Sequence, residues 1–124
     1  MSAISFDNVL GVHEAALHVR VQRNHLIANN IANAFTPGYQ ARDIDFKKTM
    51  ESFVDDKSPE RHSSNPIADD DVKYRVPLQP SLDDNSVEPH VEMAEFSKNN
   101  MEFLATLRFL NGSLNSMERA LRGE

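Results

Sequence analysis

The sequence predicts a mainly α-helical protein, with long N- and C-terminal helices packing as a coiled-coil-like pair around an irregular middle segment. Apolar residues recur at helical spacing near both ends of the chain. The segment between them is rich in Ser, Asp and Pro, so we expect at most a short β element there. We therefore divide the chain into an N-terminal core segment, 1–54, a middle segment, 55–86, and a C-terminal core segment, 87–124.

The first helix is expected from about Phe6 to about Ala34. Pro37 ends it, and Pro37-Gly38 suits the central positions of a type II turn from Thr36 to Tyr39, where Gly supplies a positive φ. Apolar residues spaced three, four or seven apart form the stripe of an amphipathic helix: Phe6, Leu10, Leu17, Val21, Ala28, Ile31 and Ala32. A second apolar set predicts a short helical continuation: Ile44, Phe46, Met50, Phe53 and Val54.

An unusual cluster of asparagines, Asn29, Asn30 and Asn33, lies near the end of this first helix. Asparagine is a mediocre helix former, because its amide competes for nearby backbone groups. Each side chain offers two donors and an acceptor. The cluster could therefore bond neighbouring subunits, cap the backbone of the turn, or simply be a solvated helix end, and periodicity does not choose among these.

The negative charge of the chain is concentrated in its middle segment. The formal net charge is −6, and residues 51–90 alone hold ten acidic against four basic side chains. Few such acidic chains bind nucleic acid, because a phosphate backbone needs a basic footprint. Val72, Tyr74 and Val76 alternate with charged residues and predict a brief strand, which Pro77 restricts to an edge.

The C-terminal helix has the clearest pattern. Nine positions spaced alternately three and four apart form a heptad seam, eight of them apolar: Met93, Phe96, Asn100, Phe103, Leu107, Leu110, Leu114, Met117 and Leu121. Pro89 suits the first turn of this helix. Neither long helix can bury its stripe alone, so we expect the two to pair and to leave one face of each for a partner. The chain would then complete its core by assembly, with its ends mobile in the free monomer.

Composition excludes several chemistries. There is no cysteine, which removes disulfides and thiolate zinc sites. The N-terminus lacks the basic and apolar regions of a cleaved secretory signal, and no apolar run reaches the roughly 20 residues of a membrane span. His13 and His18 are five apart, whereas a zinc-protease motif needs four. We therefore expect no catalytic residues, no metal, no cofactor and no small-molecule substrate.

Two stretches resemble a known family. The run ANNIANAFTPGYQARDIDF, residues 28–46, resembles the N-terminal signature of the flagellar axial-protein family, whose members form the rod, hook and hook-filament junction. The run YRVPLQPSLDDNSVE, residues 74–88, resembles a segment particular to one rod member of that family. Asp84 departs from the family, where Gly is common. A loop that needs a positive φ tolerates Asp less well than Gly.

The resemblance implies a structural subunit at the membrane-proximal end of the flagellar rod, the tube that transmits motor torque across the periplasm. It implies export by the flagellar type III apparatus without a cleaved signal. The implied partners are that apparatus, other rod proteins, the ring–rod adaptor protein and further copies of this chain. The alternative is a small soluble helical adaptor or export-related binding protein. We expect assembly contacts at the helix end and along the seam: Asn29, Asn30, Ile31, Asn33, Thr36, Pro37, Gly38, Tyr39, Phe96, Phe103, Leu107, Leu110, Leu114, Met117 and Leu121.

Overall fold

The structure, a computed structural model, describes residues 6–55, 67 and 71–123. Two long helices and a short two-stranded sheet confirm the predicted mainly helical class. Most of the expected acidic stretch between residues 55 and 71 lies outside the described residues. The elements in chain order are α1, Phe6–Ala32; β1, Arg42–Ile44; α2, Phe46–Asp55; β2, Val72–Tyr74; and α3, Pro89–Arg122.

Helices α1 and α3 pack together, as predicted, and they run antiparallel, so we call the pair the hairpin. Asn30 near the end of α1 bonds Glu92 near the start of α3, while Arg20, earlier in α1, bonds Glu102, later in α3. The remaining elements pack against one end of this hairpin. The buried apolar side chains come from α1, β1, α2 and the loops before β1 and α3: Ala15, Ala16, Val19, Ile27, Ala41, Ile44, Phe53 and Val87.

Helix α1 ends at Ala32, two residues before the predicted end. A turn of the tighter 3₁₀ type follows, since the Ala34 N–H donates to the Ile31 carbonyl, three residues back, at 3.2 Å. The expected type II turn follows. The Tyr39 N–H donates to the Thr36 carbonyl at 3.2 Å, and Gly38 has a φ of +72°.

The predicted helical continuation is present as α2, but the prediction was wrong for Ile44. Ile44 lies in β1, which pairs antiparallel with β2 and places Ile44 opposite Val72. Asp45 separates strand from helix, because its carboxylate accepts a hydrogen bond from the Lys48 N–H at 3.3 Å and so caps α2. Ile44 is therefore extended, and its side chain is buried.

Helix α3 begins with Pro89 in its first turn, as expected, and ends at Arg122, where Gly123, with a φ of +77°, caps it. Its only fully buried side chains among the described residues are polar, Glu92 and Asn99, and neither belongs to the predicted seam. Leu114 and Leu121 of the seam are 44% and 88% exposed. The first half of α3 thus turns a polar side towards α1, and much of the apolar stripe lies beside the contact.

Candidate assembly site

Asn30 is the central residue of the predicted asparagine cluster, and it is fully buried. Its amide donates to the Arg42 carbonyl at 2.8 Å and to a Glu92 carboxylate oxygen at 3.1 Å. Its oxygen accepts from the Arg42 N–H at 3.1 Å and from the Tyr39 hydroxyl at 3.3 Å. Both donors and both lone pairs are used, so this side chain ties α1, β1 and α3 together.

The other two asparagines have different surroundings. The Asn33 amide donates to the Asn29 carbonyl at 2.8 Å, and the Asn33 oxygen accepts from the Thr36 hydroxyl at 3.1 Å. Asn33 therefore stabilises the last turn of α1. The Asn29 side chain is exposed, as are Thr36 and Pro37. The structure thus brings Asn30, Asn33 and Tyr39 into the fold, while Asn29 remains on the surface with Ile31 half-buried beside it.

A fourth asparagine, which the sequence analysis missed, holds the end of α1. The Asn85 amide lies 2.9 Å from the Asn33 carbonyl, 3.0 Å from that of Ala34 and 2.8 Å from that of Thr36. Carbonyls at a helix end lack intrahelical partners, and this buried side chain supplies them. The signal in the sequence was the Asp-Asp-Asn-Ser run, which is typical of tight turns.

Residues 83–86 also fasten the turn by main-chain bonds. The Gly38 N–H donates to the Asp83 carbonyl at 2.8 Å, and the Ser86 N–H donates to the Tyr39 carbonyl at 3.0 Å. Asp84 has a φ of +57°, which shows that this loop does need a positive φ, the left-handed region that favours Gly. The two family-like stretches of sequence therefore meet in one structural unit.

A network of charged side chains joins the sheet to both helices. Arg23 forms a bidentate pair with Asp43 at 2.8 and 3.0 Å, and it also bonds Glu95 at 2.7 Å. Arg75, which follows β2, bonds both Asp43 and the buried Glu92. Alternating charges thus hold together four separate segments: α1, β1, the residue after β2, and α3.

The network shifts the acidity of its members in opposite directions. Burial would raise the pKa of Asp43, but the hydrogen bonds and charge of Arg23, with Arg75, outweigh it and hold that pKa below its usual value. Burial raises the pKa of Glu92, and the bonds from Asn30 and Arg75 offset this only in part. Bonding to Asp43 raises the pKa of Arg23.

Arg20 extends the network along the hairpin. It donates to Asn99 at 3.3 Å and to Glu102 at 2.5 Å, and its guanidinium lies 3.7 Å from the centre of the Phe46 ring. Asn99 in turn donates to the Arg20 carbonyl at 2.8 Å and to the Asn24 oxygen at 2.8 Å. Burial lowers the pKa of Arg20, and Glu102 counteracts this in part. The contact between the long helices is therefore specified by polar pairs as well as by apolar packing.

The predicted seam residues lie at different depths. Phe96, Phe103, Leu107, Leu110 and Met117 are half-buried, whereas Leu114 and Leu121 are exposed. We define the apolar flank of α3 as its exposed large apolar side chains on and directly beside the seam: Met93, Leu104, Leu114 and Leu121. A long exposed apolar surface of this kind marks a protein contact site.

The exposed loops add further apolar groups. Phe35, Leu78 and Leu82 are almost fully exposed, and they lie in the loops at the end of the hairpin where α1 ends and α3 begins. Within the described ranges, no three His, Asp or Glu side chains converge as metal ligands, and no helix is long and apolar enough to cross a membrane. The arrangement offers surfaces for packing against other chains.

Comparison with known proteins identifies the class. Residues 10–40 match the family model described as flagella basal body rod protein. These residues cover most of α1, the asparagine cluster and the type II turn. The fold and the matched region together define a helical flagellar rod protein.

Curated relatives extend the match over nearly the whole chain. The flagellar basal body rod protein FlgB of Aeromonas hydrophila is 38% identical over 130 residues, covering 98% of each chain. FlgB of Cereibacter sphaeroides is 40% identical over 125 residues, covering 96% of this chain and 98% of the relative. FlgB of Escherichia coli K12 is 38% identical over 132 residues, covering 94% of each. The chain belongs to the FlgB family of flagellar basal body rod proteins.

Family membership confirms the resemblance found in the two sequence runs. It also confirms the prediction of a structural protein of the bacterial flagellum that is not an enzyme. As a rod protein, the chain associates with other components of the flagellar basal body.

Proposed function

We propose that this chain is a structural subunit of the proximal rod, and that it assembles by helix packing into the tube that transmits motor torque. The apolar flank of α3 carries this proposal. The polar side of α3 is already paired with α1 through Asn99 and Glu102, whereas Leu104, two residues after Glu102, is 53% exposed. Helices from neighbouring subunits would cover this flank, because burial of each such side chain contributes about 1.5–3 kcal/mol.

The finer assignments form part of the same proposal. The neighbours would be other rod proteins, further copies of this chain and, at the membrane-proximal end, the ring–rod adaptor protein. The chain would reach the periplasmic rod through the flagellar type III export apparatus without a cleaved signal peptide. The exposed Asn29, Thr36 and Pro37 would contact a neighbour at the end of the hairpin, while Asn30 and Asn33 hold that end in shape.

Incorporation into basal bodies tests the proposal. In a strain lacking the chromosomal copy, we would express Leu104→Asp, which places a charge on the apolar flank without touching a fully buried group. The matched control is Ala105→Asp, because the next residue is also exposed but lies about 100° further round the helix. Leu110→Asp, at a half-buried seam position, should prevent incorporation as well.

The readout is immunoblotting of detergent-resistant basal bodies together with swimming. We expect the wild type and Ala105→Asp to be incorporated and Leu104→Asp to be absent from basal bodies. Normal incorporation of Leu104→Asp would refute assembly through the apolar flank. A functional wild-type protein found only in the cytoplasm would instead support the soluble adaptor or export-related alternative.

A further inference from the structure

An open cleft of about 500 Å³ lies where α1, α3 and the small sheet meet, and its walls are unusually basic for this chain. The whole protein has a formal charge of −6, yet three more cationic than acidic side chains line this cleft. We name it the basic cleft. Its cationic residues are Arg20, Arg23, Lys47, Lys73, Arg75 and Lys98.

The three arginines form the fixed wall of the basic cleft. Arg23 and Arg75 both pair with Asp43, and Arg20 pairs with Glu102. Their side chains are at most 18% exposed. Because their guanidinium groups already bind carboxylates of the same chain, they shape the cleft more than they recruit a ligand.

The three lysines behave differently, because they project from three separate elements and are exposed. Lys73 and Lys98 form no ion pair with any residue that the structure describes. Lys47 has only Glu51, 3.9 Å away and itself largely exposed, and such surface pairs contribute little. Three ammonium groups from α2, β2 and α3 therefore line one concave surface with no strong partner among the described groups. A cleft lined by one sign of charge concentrates ligands of the opposite sign.

The shape and lining of the cleft favour an extended ligand over a compact anion. A phosphate is held best by free guanidinium forks or main-chain N–H groups, and the arginines here are already engaged. The lysines instead offer separate point charges beside Tyr74, a residue that is 70% exposed. We propose that the basic cleft docks a short acidic segment of a partner protein, with its carboxylates on the lysines and an apolar side chain against Tyr74.

The overall charge selects this partner over other polyanions. A nucleic acid or an anionic membrane extends far beyond the cleft and would meet the net negative surface of the rest of the chain. A short peptide lies within the roughly 8 Å over which charges act at physiological salt, so it experiences mainly the local lysines. The inference goes beyond the proposed rod function, and failure to bind a peptide would leave the incorporation experiment unaffected.

The test is a fluorescence anisotropy titration of the full chain against a fluorescein-labelled peptide of six glutamates with one central phenylalanine. The cleft variant is Lys73→Gln with Lys98→Gln. The matched control is Arg108→Gln with Arg119→Gln, which removes the same charge from exposed positions of α3 outside the cleft. We expect the cleft variant to raise the Kd about tenfold, as two exposed ion pairs would, and the control to change it less than about twofold.

Several outcomes would overturn the inference. One is the absence of peptide binding by the wild type at 50 mM NaCl, and another is an equal loss in the cleft and control variants. Tighter binding of duplex DNA or of phosphatidylserine vesicles than of the peptide would assign the cleft to a different class of ligand. Salt-sensitive self-association that only the cleft variant abolishes, seen by analytical ultracentrifugation, would make the occupant a second copy of this chain.

Discussion

Replacing Asn85 by alanine should detach the end of α1 from the loop that holds it. The Asn85 amide lies within 3.0 Å of three main-chain carbonyl oxygens, and its own oxygen accepts from the Val87 N–H at 2.8 Å. Two amide hydrogens serve the three carbonyls, so the side chain makes the equivalent of two donated bonds and one accepted bond.

The expected loss of stability depends on how exposed the hydrogen-bond partners of Asn85 are. Each net hydrogen bond contributes about 0.5–1.5 kcal/mol, and a buried group left unpaired costs about 1–3 kcal/mol. The Thr36 end of the site is exposed, so water can replace part of the loss there, whereas Asn85 itself and Val87 are buried. We therefore expect Asn85→Ala to lower the free energy of unfolding by about 2–3 kcal/mol.

The assay is urea unfolding of the free chain followed by circular dichroism at 222 nm. Asn29→Ala is the matched control, because that exposed side chain lies on the same helix end, and its effect should stay within about 0.5 kcal/mol. Asn85→Asp provides a second test, since it keeps the acceptor for Val87 but directs a carboxylate oxygen at the carbonyls. It should be less stable than Asn85→Ala at pH 7 and should recover in part as the pH falls towards about 4, because a carboxyl group facing carbonyl oxygens is protonated above its unfolded pKa. An Asn85→Ala chain as stable as the wild type would refute the role of Asn85 as the helix cap.

Three further predictions concern the same region and the long helices. Asp84 and Gly38 both have a positive φ, which favours Gly. Asp84→Gly should therefore stabilise the chain by up to about 1 kcal/mol, and Gly38→Ala should destabilise it by a similar amount. Thermal melts that shift in the same direction for both variants would contradict this prediction. Asp43→Asn should cost roughly 3 kcal/mol at pH 7. The pKa of Asp43 is lowered in the folded state, so its contribution is present above the unfolded pKa and is lost as the pH falls below about 4. The difference between wild type and Asp43→Asn in urea unfolding should therefore shrink in acid, and a constant difference would rule out the ion pair as its source. The free chain should show less helix by circular dichroism than the 27, 10 and 34 residues of the three described helices, because no residue of α3 from Asn100 to Arg122 is fully buried. A fully helical, cooperatively melting monomer would refute ordering on assembly.

The positions of the helices follow from local chemistry, which is why the sequence predicted them. Apolar spacing places α1 and α3, Pro37 with Gly38 makes the turn, and Pro89 begins the last helix. Each of these features acts within a few residues of itself, through fixed φ values, lost N–H donors or helical periodicity. The family resemblance had the same local origin, since it rested on two continuous runs.

Local patterns were less reliable where two structures compete for one residue. Ile44 fits the apolar spacing of a helix, but β2 offers it a pairing partner and Asp45 caps the helix that follows. The strand partner lies about 30 residues away in the chain, so helical periodicity alone could not include it.

By itself, the sequence determined the helical class, the turn that ends α1 and the membership of the flagellar rod family. Only the tertiary structure decided which side of α3 packs against α1, because that side is set by the hydrogen bonds from Arg20 to Glu102 and from Asn30 to Glu92. A heptad seam predicts which positions along one helix are apolar. It does not predict which buried polar groups of another helix that helix will contact. The tertiary structure also made Asn85 a helix cap and gathered the lysines of the basic cleft, since both require segments far apart in the chain to fold against each other.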